Sequence, residues 1–471
     1  LAVVTGLSGL LFFEGSYLQA MGLGGAIVVM LAALFALTAL PALLSVLGPR
    51  IHAGRLPMPH FGLGEGFWHR TAARVMRRPL AVLLPTLAVL LCMGIPFFHL
   101  RMTASDVRVL PEQVEARRGY ELLRRTFPDQ ARTRVLVAVS FPTAPALTRE
   151  RVGALVDLSR RLAALPGVLK VESIVDTGLP LSREAYQGLL TRQVAAVSVA
   201  EPGLAMALPP EVGSILEAAK RQSVGAQVVL LSALTDLAPE TEGARELVRR
   251  IREARRVADG TLLVGGPTAN DIDTTAYIVE RAPRAVAFVS GITLIVLFLL
   301  LGSVLLPLKA VLMNFVSIAG SFGALVWVFQ DGNLFVGEGR PIEPSLPVLL
   351  FCILFGLSMD YEVLMLSRIK ESYERTGDNT HAVGEGLEKS ARLITSAALI
   401  MVAVFSAFAL ARVVIIQAVG FGMALAVTLD ATLVRLLLVP STMRLLGHMN
   451  WWAPRPLLTL RRKLGTGGAR P

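Results

Sequence analysis

An acidic residue stands inside a long apolar run, in the segment FGLSMDYEVLMLSR. This residue is Asp360, and Tyr361 follows it directly. Carboxylates within membrane-type segments are rare and costly, and they commonly mark ion or proton pathways. Because burial disfavours the charged form, the protonation of such a group responds to nearby charges and to access from either side of a membrane. We therefore predict that Asp360 binds and releases a proton, as a proton-coupled transporter requires.

Asp360 and Tyr361 are not expected to pair with each other. Consecutive residues of an α-helix point about 100° apart, so each must meet a residue on another helix. Thr395 and Ser396 are candidates for a hydrogen bond to Asp360 across helices, although such hydroxyls commonly bond their own backbone. In the alternative interpretation, Asp360 is a structural carboxylate held by a neighbouring hydroxyl. Glu362 is interpreted as structural, because it lies close enough to the cytoplasmic side to reach lipid headgroups.

A second ionisable pair, Asp430 and Arg435, lies in the apolar segment 415–440. At a separation of five residues the two side chains are offset on an α-helix, so each is expected to bond another helix. Arg435 has the alternative of extending to the membrane surface. Residues 19–33 align with 417–431 without gaps, and the repeat positions equivalent to the two charges are apolar. A coupling or gating role and a structural role therefore both stay open.

The sequence does not favour other chemistry. The two cysteines, Cys92 and Cys352, lie in apolar runs and predict neither a disulfide framework nor a metal site. The six histidines are scattered, and the chain holds no G-x-S-x-G, P-loop or H-E-x-x-H motif. We therefore expect no enzyme activity and no cofactor, and an ion gradient rather than ATP as the energy source of any pump.

Membrane helices must position these residues. Of the 471 residues, 54% are hydrophobic and 17% are charged, which excludes an ordinary soluble enzyme and a disordered chain. The net charge of +11 lies mainly beside the apolar segments, so it does not indicate nucleic-acid binding. Stretches long enough to span a bilayer are predicted at 1–13 (truncated), 17–48, 79–98, 284–305, 308–329, 345–366, 392–412 and 415–440.

Basic residues predict the orientation of these spans. The segments 49–78 and 441–471 are rich in Arg and Lys and are expected in the cytoplasm. Counting spans from there places two segments outside, namely 99–283 and the short loop 330–344. It places two segments inside, namely the turn at Leu306–Lys309 and the charged loop 367–391.

The outer segment, 99–283, is long enough for a core of its own. Its alternating and amphipathic stretches predict β-α-β followed by β-α-β, with residues 176–225 unassigned. A ferredoxin-like arrangement is the expected fold. The predicted strands are 134–141, 168–175, 226–233 and 261–265, and the predicted helices are 148–165 and 240–257.

The chain begins at Leu1 within an apolar run, without the basic start or cleavage site of a signal peptide. The repeat between 19–33 and 417–431, identical at eight of 15 positions, is of the kind that secondary transporters contain. We therefore expect that residues 1–48 close a first transmembrane half whose earlier helices are missing from this sequence.

Several motifs of the chain resemble the MmpL family of the resistance–nodulation–division (RND) superfamily. The most specific is GLSMDYEVLMLSRIKESY at 356–373. The resemblance covers nearly the whole chain except 176–225. The other motifs are SDVRVLP at 105–111, VGGPTANDID at 264–273, LLPLKAVLMNFVSIAGSFGALVWVFQDG at 305–332, SARLITSAALIMVAVFSAF at 390–408 and AVGFGMALAVTLDATLVRLLLVP at 418–440.

This resemblance implies a twelve-helix inner-membrane exporter with two extracytoplasmic porter domains. Such proteins use the proton gradient to move lipids, lipid conjugates or hydrophobic metabolites. It also implies that Asp360 and Tyr361 are the second-half members of a proton relay, which meet a matching Asp–Tyr pair on the fourth helix. Asp430 and Arg435 match intramembrane charges of the family. This chain would then hold helices five to twelve and the second porter domain.

The expected fold is thus a polytopic α-helical membrane protein, an RND-type bundle with an extracytoplasmic α/β porter domain of ferredoxin-like βαβ units. The predicted domains are 1–48, the last two helices of the first transmembrane half; 49–78, a basic cytoplasmic loop; 79–98, a transmembrane helix; 99–283, the porter domain; 284–440, a five-helix bundle with the Asp–Tyr motif; and 441–471, a basic cytoplasmic tail.

The predicted function is proton-driven export of lipids or hydrophobic small molecules across the bacterial inner membrane. The expected partners are membrane lipids, the substrate, protons and the N-terminal half of the same protein, with homo-oligomerisation left open. Two other functions compete with this prediction. One is a lipid-binding receptor or scaffold that does not pump, in which the two halves would not both keep the carboxylate. The other is a proton-driven accessory to protein secretion, whose outer domain would bind unfolded polypeptide.

Overall fold

The structure is a computed structural model that describes residues 2–48, 50, 67–104, 107–128, 130–178, 181–195, 210–334 and 339–463. Parts of five predicted segments lie outside the described residues. These parts are residue 1 of the truncated span, 49 and 51–66 of the basic loop, 105–106, 129, 179–180 and 196–209 of the outer segment, 335–338 of the short loop and 464–471 of the tail.

Helices dominate the described residues. In chain order the α-helices are α1 (Ala2–Ser8), α2 (Tyr17–Leu47), α3 (Phe67–Arg77), α4 (Pro79–Gly94), α5 (Glu115–Thr126), α6 (Arg149–Ala163), α7 (Arg183–Ala195), α8 (Pro210–Ser223), α9 (Glu242–Glu253), α10 (Pro267–Leu301), α11 (Leu305–Leu325), α12 (Ser345–Thr376), α13 (Asn379–Ala409), α14 (Val414–Leu429), α15 (Val439–Leu446) and α16 (Arg455–Lys463). Two π-helical segments, Val326–Gln330 and Asp430–Leu438, extend α11 and α14.

The strands are β1 (Thr133–Ser140), β2 (Lys170–Glu172), β3 (Val228–Thr235), β4 (Arg256–Val257) and β5 (Gly260–Gly265). The chain divides into two compact units. The first unit comprises Leu1–Ser105 and Tyr277–Pro471, and the second comprises Asp106–Ala276. All five strands belong to the second unit.

Seven helical runs of the described residues are long and apolar enough to cross a membrane. They are Tyr17–Leu47, Pro79–His99, Pro267–Leu301, Leu305–Gln330, Ser345–Thr376, Asn379–Ala409 and Val414–Trp451. A shorter apolar helix, Ala2–Phe12, corresponds to the predicted truncated span. The prediction of a polytopic helical membrane protein is confirmed. The α11 and α12 segments are the most buried of these runs, whereas α2 is almost fully exposed.

The second unit has the predicted ferredoxin-like fold. Its sheet has the strand order β2-β3-β1-β5-β4, with antiparallel pairing throughout. Without the short edge strand β4, this order is that of two interleaved βαβ units. Alternate residues of β1, such as Val135, Val137 and Val139, are buried on one face and pack with residues of α6 and α9. The apolar alternation therefore identifies the face that the helices cover.

Two predicted elements of this unit end earlier in the structure than in the prediction. The second strand was expected over 168–175 but pairs only at Lys170–Glu172, because a turn follows in which Ser173 and Asp176 bond each other. The helix expected at 240–257 ends at Glu253, because Arg256 and Val257 turn back and pair with β5. The unassigned segment 176–225 contributes α7 and α8.

The first unit corrects the prediction of a charged loop at 367–391. There α12 continues to Thr376 and α13 begins at Asn379, so only two residues separate them. Gly377 has the positive φ of 69° that a left-handed helix end requires, and the Asp378 side chain accepts a hydrogen bond of 2.8 Å from the Thr380 N–H. The charged residues therefore lie on the ends of two long helices, where polar side chains do not interrupt the helical backbone.

The predicted basic loop and tail also contain helices. Within 49–78, α3 buries Ala72, Val75 and Met76 and packs on α13 and α15, while Arg74 is exposed. Such one-sided burial is the behaviour of an amphipathic helix. In the tail, the Trp451 ring stacks on Tyr373 of α12 at 4.4 Å between centroids. This contact anchors the start of the tail to the bundle.

Arg151 of α6 joins three parts of the second unit. Its side chain is 7% exposed and donates hydrogen bonds to the Asp259 carboxylate and to the backbone carbonyls of Thr143 and Pro145. The guanidinium also lies 4.6 Å from the centre of the Phe141 ring. Because a buried guanidinium requires partners for its donors, these bonds fix the loop after β1 and the turn before β5.

A core substitution in the sheet is expected to destabilise the second unit. Leu231 of β3 is fully buried, so Leu231→Ala should lower the free energy of unfolding by about 2–5 kcal/mol, through lost burial and a cavity. The matched control is Leu263→Ala on β5, whose side chain is 57% exposed and whose loss should cost about 0.5 kcal/mol or less. Pulse proteolysis of the purified chain at increasing urea concentration measures both, and equal effects would contradict the assignment of the buried face.

The Arg151–Asp259 contact predicts a pH dependence. The hydrogen bond from Arg151 holds the pKa of Asp259 below its usual range. A carboxyl group with a lowered pKa stabilises the fold above its unfolded-state pKa, and this contribution is lost as the pH falls through the folded-state value. Asp259→Asn should therefore be less stable than the unmodified chain at pH 7, and the difference should shrink as the pH falls below the ordinary Asp pKa of about 3.9. Urea unfolding followed by circular dichroism at pH 7 and through this acidic range tests this expectation.

Candidate functional site

Three consecutive residues of α12 point toward three different neighbours. Asp360 faces α1, Tyr361 faces α13 and the second π-helical segment, and Glu362 faces α11. The helical spacing of about 100° per residue produces this arrangement without any distortion of α12. Asp360, Tyr361 and Glu362 therefore take part in three different helix contacts at one level of the bundle.

Asp360 is exposed at the edge of the contact between α12 and α1. Its carboxylate accepts a hydrogen bond from the backbone N–H of Ala2. One turn earlier the two helices cross at Gly6 and Gly356, where a Cβ atom on Gly356 would lie 2.7 Å from Val3 Cα. Only glycine permits this approach of the two backbones, and it places Asp360 beside α1.

Tyr361 is half-buried between two other helices. Its hydroxyl donates to Met401 Sδ on α13 at 3.4 Å, and the Arg435 guanidinium lies 4.9 Å from the centre of its ring. Asp360 and Tyr361 thus have different neighbours, as the helical spacing predicts. The aromatic ring provides a face on which a cation is stabilised in an apolar environment.

Asp430 and Arg435 form a direct ion pair, which corrects the prediction that they are offset. Arg435 Nη2 lies 2.5 Å from Asp430 Oδ2, and the Arg435 side chain is only 4% exposed. The reason is the π-helical segment Asp430–Leu438, in which the backbone repeat joins residues i and i+5. The same burial excludes the alternative in which Arg435 extends to the membrane surface.

The backbone and side chain of Ser358 complete this ion pair. Arg435 Nη2 also donates to the Ser358 carbonyl at 3.1 Å, and the Ser358 hydroxyl bonds Asp430. A buried ion pair is tolerable only when further hydrogen bonds satisfy the remaining donors and acceptors. The π-helical segment and α12 together supply them.

Lys309 and Glu362 face each other across the contact between α11 and α12. Their side chains are 8% and 6% exposed. Lys309 was expected in a cytoplasmic turn at Leu306–Lys309, but α11 begins at Leu305, since Pro307 fits the first turn of a helix. Glu362 was expected to reach lipid headgroups, but it points into the bundle. Both expectations are wrong for the same reason, which is the inward direction of the side chains.

A small cavity lies next to the Asp430–Arg435 ion pair. It has a volume of about 20 Å³, enough for a single water molecule. Its walls include Asn314 of α11, Tyr361, Asp430 and Arg435. We call the buried set of Lys309, Asn314, Ser358, Tyr361, Glu362, Asp430 and Arg435 the polar cluster. When Lys309 and Arg435 are protonated and Glu362 and Asp430 are deprotonated, the polar cluster has no net charge.

Thr395 and Ser396 do not belong to the polar cluster. Both are exposed on α13, and Ser396 Oγ donates to the Leu393 carbonyl of its own helix at 3.0 Å. The structure, which describes all of these residues, shows no hydrogen bond from either hydroxyl to Asp360. For Ser396, the predicted contact across helices is therefore replaced by the common bond of a hydroxyl to its own backbone.

Sequence reasoning missed Lys309 and assigned Glu362 a passive position. A signal for Lys309 was present, because it is the one basic residue in the apolar stretch LLPLKAVLMN. Treating it as part of a span rather than as the end of a turn makes it an intramembrane charge that requires a partner. Glu362 is then the nearest acidic candidate in the neighbouring helix.

The chain matches the MMPL family over residues 1–82 and 110–463. These ranges include the polar cluster and nearly all of the second unit. This chain belongs to the MMPL family. The predicted resemblance of the chain to this family is thus confirmed.

Named relatives are similar along nearly the whole chain. MmpL11 of Mycobacterium tuberculosis, named a heme uptake protein, is 33% identical over 97% of this chain and 43% of its own length. MmpL11 of Mycolicibacterium smegmatis, named an exporter of mycolic acid-containing lipids, is 32% identical over 97% of this chain and 44% of its own. MmpL3 of M. tuberculosis, named a trehalose monomycolate exporter, is 28% identical over 99% and 48%. This chain thus spans about half the length of these relatives.

A solved structure supports the fold. The hedgehog release protein Disp from the water bear Hypsibius dujardini matches with a TM-score of 0.57 at 12% sequence identity. The match covers 95% of this chain and 58% of the Disp chain. At this identity the similarity concerns the fold alone.

The ion pair in the π-helical segment is expected to be sensitive to the loss of one partner. Arg435→Met leaves the Asp430 carboxylate without its cation, and the first unit should lose about 3–5 kcal/mol of stability. The double variant Asp430→Asn, Arg435→Met should recover most of this loss, because no unpaired charge remains. The matched control is Arg368→Met, which breaks the half-exposed Arg368–Glu371 pair and should cost about 1 kcal/mol or less. Thermal unfolding in detergent ranks the three variants.

Proposed function

We propose that this chain is the proton-coupled part of a membrane exporter of lipids or hydrophobic small molecules. The observation that carries the proposal is the polar cluster beside Asp360, within helices long enough to span a membrane. Ionisable side chains at such positions are rare outside transport and proton pathways. The names of the MmpL11 and MmpL3 relatives as lipid exporters give the substrate class.

Asp360 is the proposed site of proton exchange with the exterior. It is exposed on a face of α12, and it lies one turn from the glycine crossing with α1. In the whole protein we expect this face to meet a matching Asp–Tyr pair on a helix that precedes the present chain. Protonation of Asp360 from outside and release to the cytoplasm would then rock the two helical halves against each other.

The second unit offers a site for the substrate. A cavity of about 590 Å³ lies between the sheet face that α6 and α9 leave open and α8. Leu136, Leu230 and Ile215 contribute apolar walls. The charged walls are both basic and acidic, because Arg134 and Lys170 each pair with Glu172. This volume is within the range of small-molecule sites, and its mixture of apolar and charged walls suits an amphiphile. We propose that the chain lies in a bacterial inner membrane with the second unit on the side away from the cytoplasm. The distribution of basic residues favours this orientation.

Substitution of Asp360 tests the proposal. In the full-length protein, Asp360→Asn should leave membrane insertion intact and abolish export, because the amide cannot bind and release a proton. The measurement is the amount of lipid delivered outside the cell, with protein level in the membrane determined in parallel. Tyr361→Phe should reduce export less, because it keeps the shape and loses only one hydrogen bond.

Ser396→Ala is the matched control. Ser396 is exposed on α13, and its hydroxyl bonds its own helix, so export by this variant should be unchanged. Unchanged export by Asp360→Asn would contradict the proton-coupled mechanism. Heme transfer without lipid export would instead favour the activity named for the M. tuberculosis MmpL11 relative.

A further inference from the structure

Glu362 and Lys309 are buried ionisable side chains with unsatisfied polar atoms. Glu362 Oε1 and Lys309 Nζ have no hydrogen-bond partner among the residues that the structure describes. By contrast, Asp430 and Arg435 bond each other and Ser358. A buried charge without hydrogen bonds is costly, so a purely structural pair would be expected to close into direct contact.

We propose that Glu362 is a second proton-binding site of the bundle, with Lys309 as its counter-charge. The inference rests on the proposed function, since it requires that protons move through this chain. The step is a proton transfer alone. The Glu362 carboxylate accepts one proton to form the neutral acid and later releases it, while Lys309 keeps its ammonium group and stabilises the deprotonated state.

The position of Glu362 separates it from the Asp360 site. Two residues further along α12, it points about 200° around the helix, which is the side opposite Asp360. The charged groups that face Glu362 are Lys309 on α11 and Asp430 and Arg435 on the π-helical segment. Tyr361 stands between the two carboxylates on the third side of α12.

The cavity of about 20 Å³ lies beside Tyr361, the residue next to Glu362 along α12, although Glu362 and Lys309 do not themselves line it. It is bordered by Tyr361, Asp430 and Asn314, and the Asn314 side chain is 3% exposed with an unpartnered Nδ2. A water molecule in this space would find several polar partners, as a buried water requires. The cavity therefore lies between the aromatic side of the Asp360 motif and the Asp430–Arg435 pair, one residue along α12 from Glu362.

Proton flux measured in liposomes tests this assignment. The full-length protein is reconstituted with a pH-sensitive dye inside the vesicles, and a pH step is applied across the membrane. Glu362→Gln and Lys309→Met should each reduce the flux by at least about tenfold, because one lacks the proton acceptor and the other its counter-charge. The deciding variant is Lys309→Met combined with Glu362→Gln. Two neutral residues can replace a purely structural ion pair without loss of proton flux, whereas they cannot replace a proton-binding site.

Restoration of flux in the double variant overturns the inference, and continued loss supports it. Glu362→Asp keeps the carboxyl group and should conduct protons with a displaced pH midpoint. An unchanged pH profile of this variant overturns the inference, even if Glu362→Gln does not fold.

Asp360→Asn in the same vesicles separates the two proposals. If it conducts normally, the proposed function fails. If it is inactive while the double variant conducts normally, only the role of Glu362 fails.

Discussion

The first unit depends on keeping opposite charges together in an environment that does not solvate them. In an apolar bundle an isolated charge is far more costly than in water, so the helices that carry such residues must present partners to one another. The Asp430–Arg435 contact meets this requirement within a single segment. The π-helical backbone aligns residues that are five positions apart, and so the local form of the helix makes this pairing possible.

The same constraint explains the order of burial among the helices. The α11 and α12 segments carry charged residues on their inner faces and are the most enclosed, whereas α2 carries no charged residue and is exposed along most of its length. The helices that hold charge are thus the ones that others surround. In the second unit, Arg151 is likewise a buried charge with several hydrogen-bond partners, and its bonds connect loops to the sheet.

The sequence was sufficient to predict the long apolar helices, the ferredoxin-like order and the location of Asp360, Tyr361, Asp430 and Arg435 within apolar helical segments. Hydrophobic length and alternation carry that information directly. It was not sufficient for the ion pair, because spacing arguments assume α-helical geometry and a π-helical segment changes which residues align. It was also not sufficient for Lys309, since whether a lysine after a proline ends a turn or enters a helix depends on what packs against it. These failures concern side-chain direction, which tertiary contacts decide.

The crossing of α1 and α12 at Gly6 and Gly356 has a mechanical consequence. Helices usually lock together because side-chain ridges fit into grooves, and such surfaces resist sliding. At Gly6 and Gly356 the two backbones meet directly, so the position of α1 along α12 is set by backbone contact and not by interlocking side chains. Asp360 lies one turn from this crossing. On the proposed function, a change in its charge would act beside the point where these two helices approach most closely.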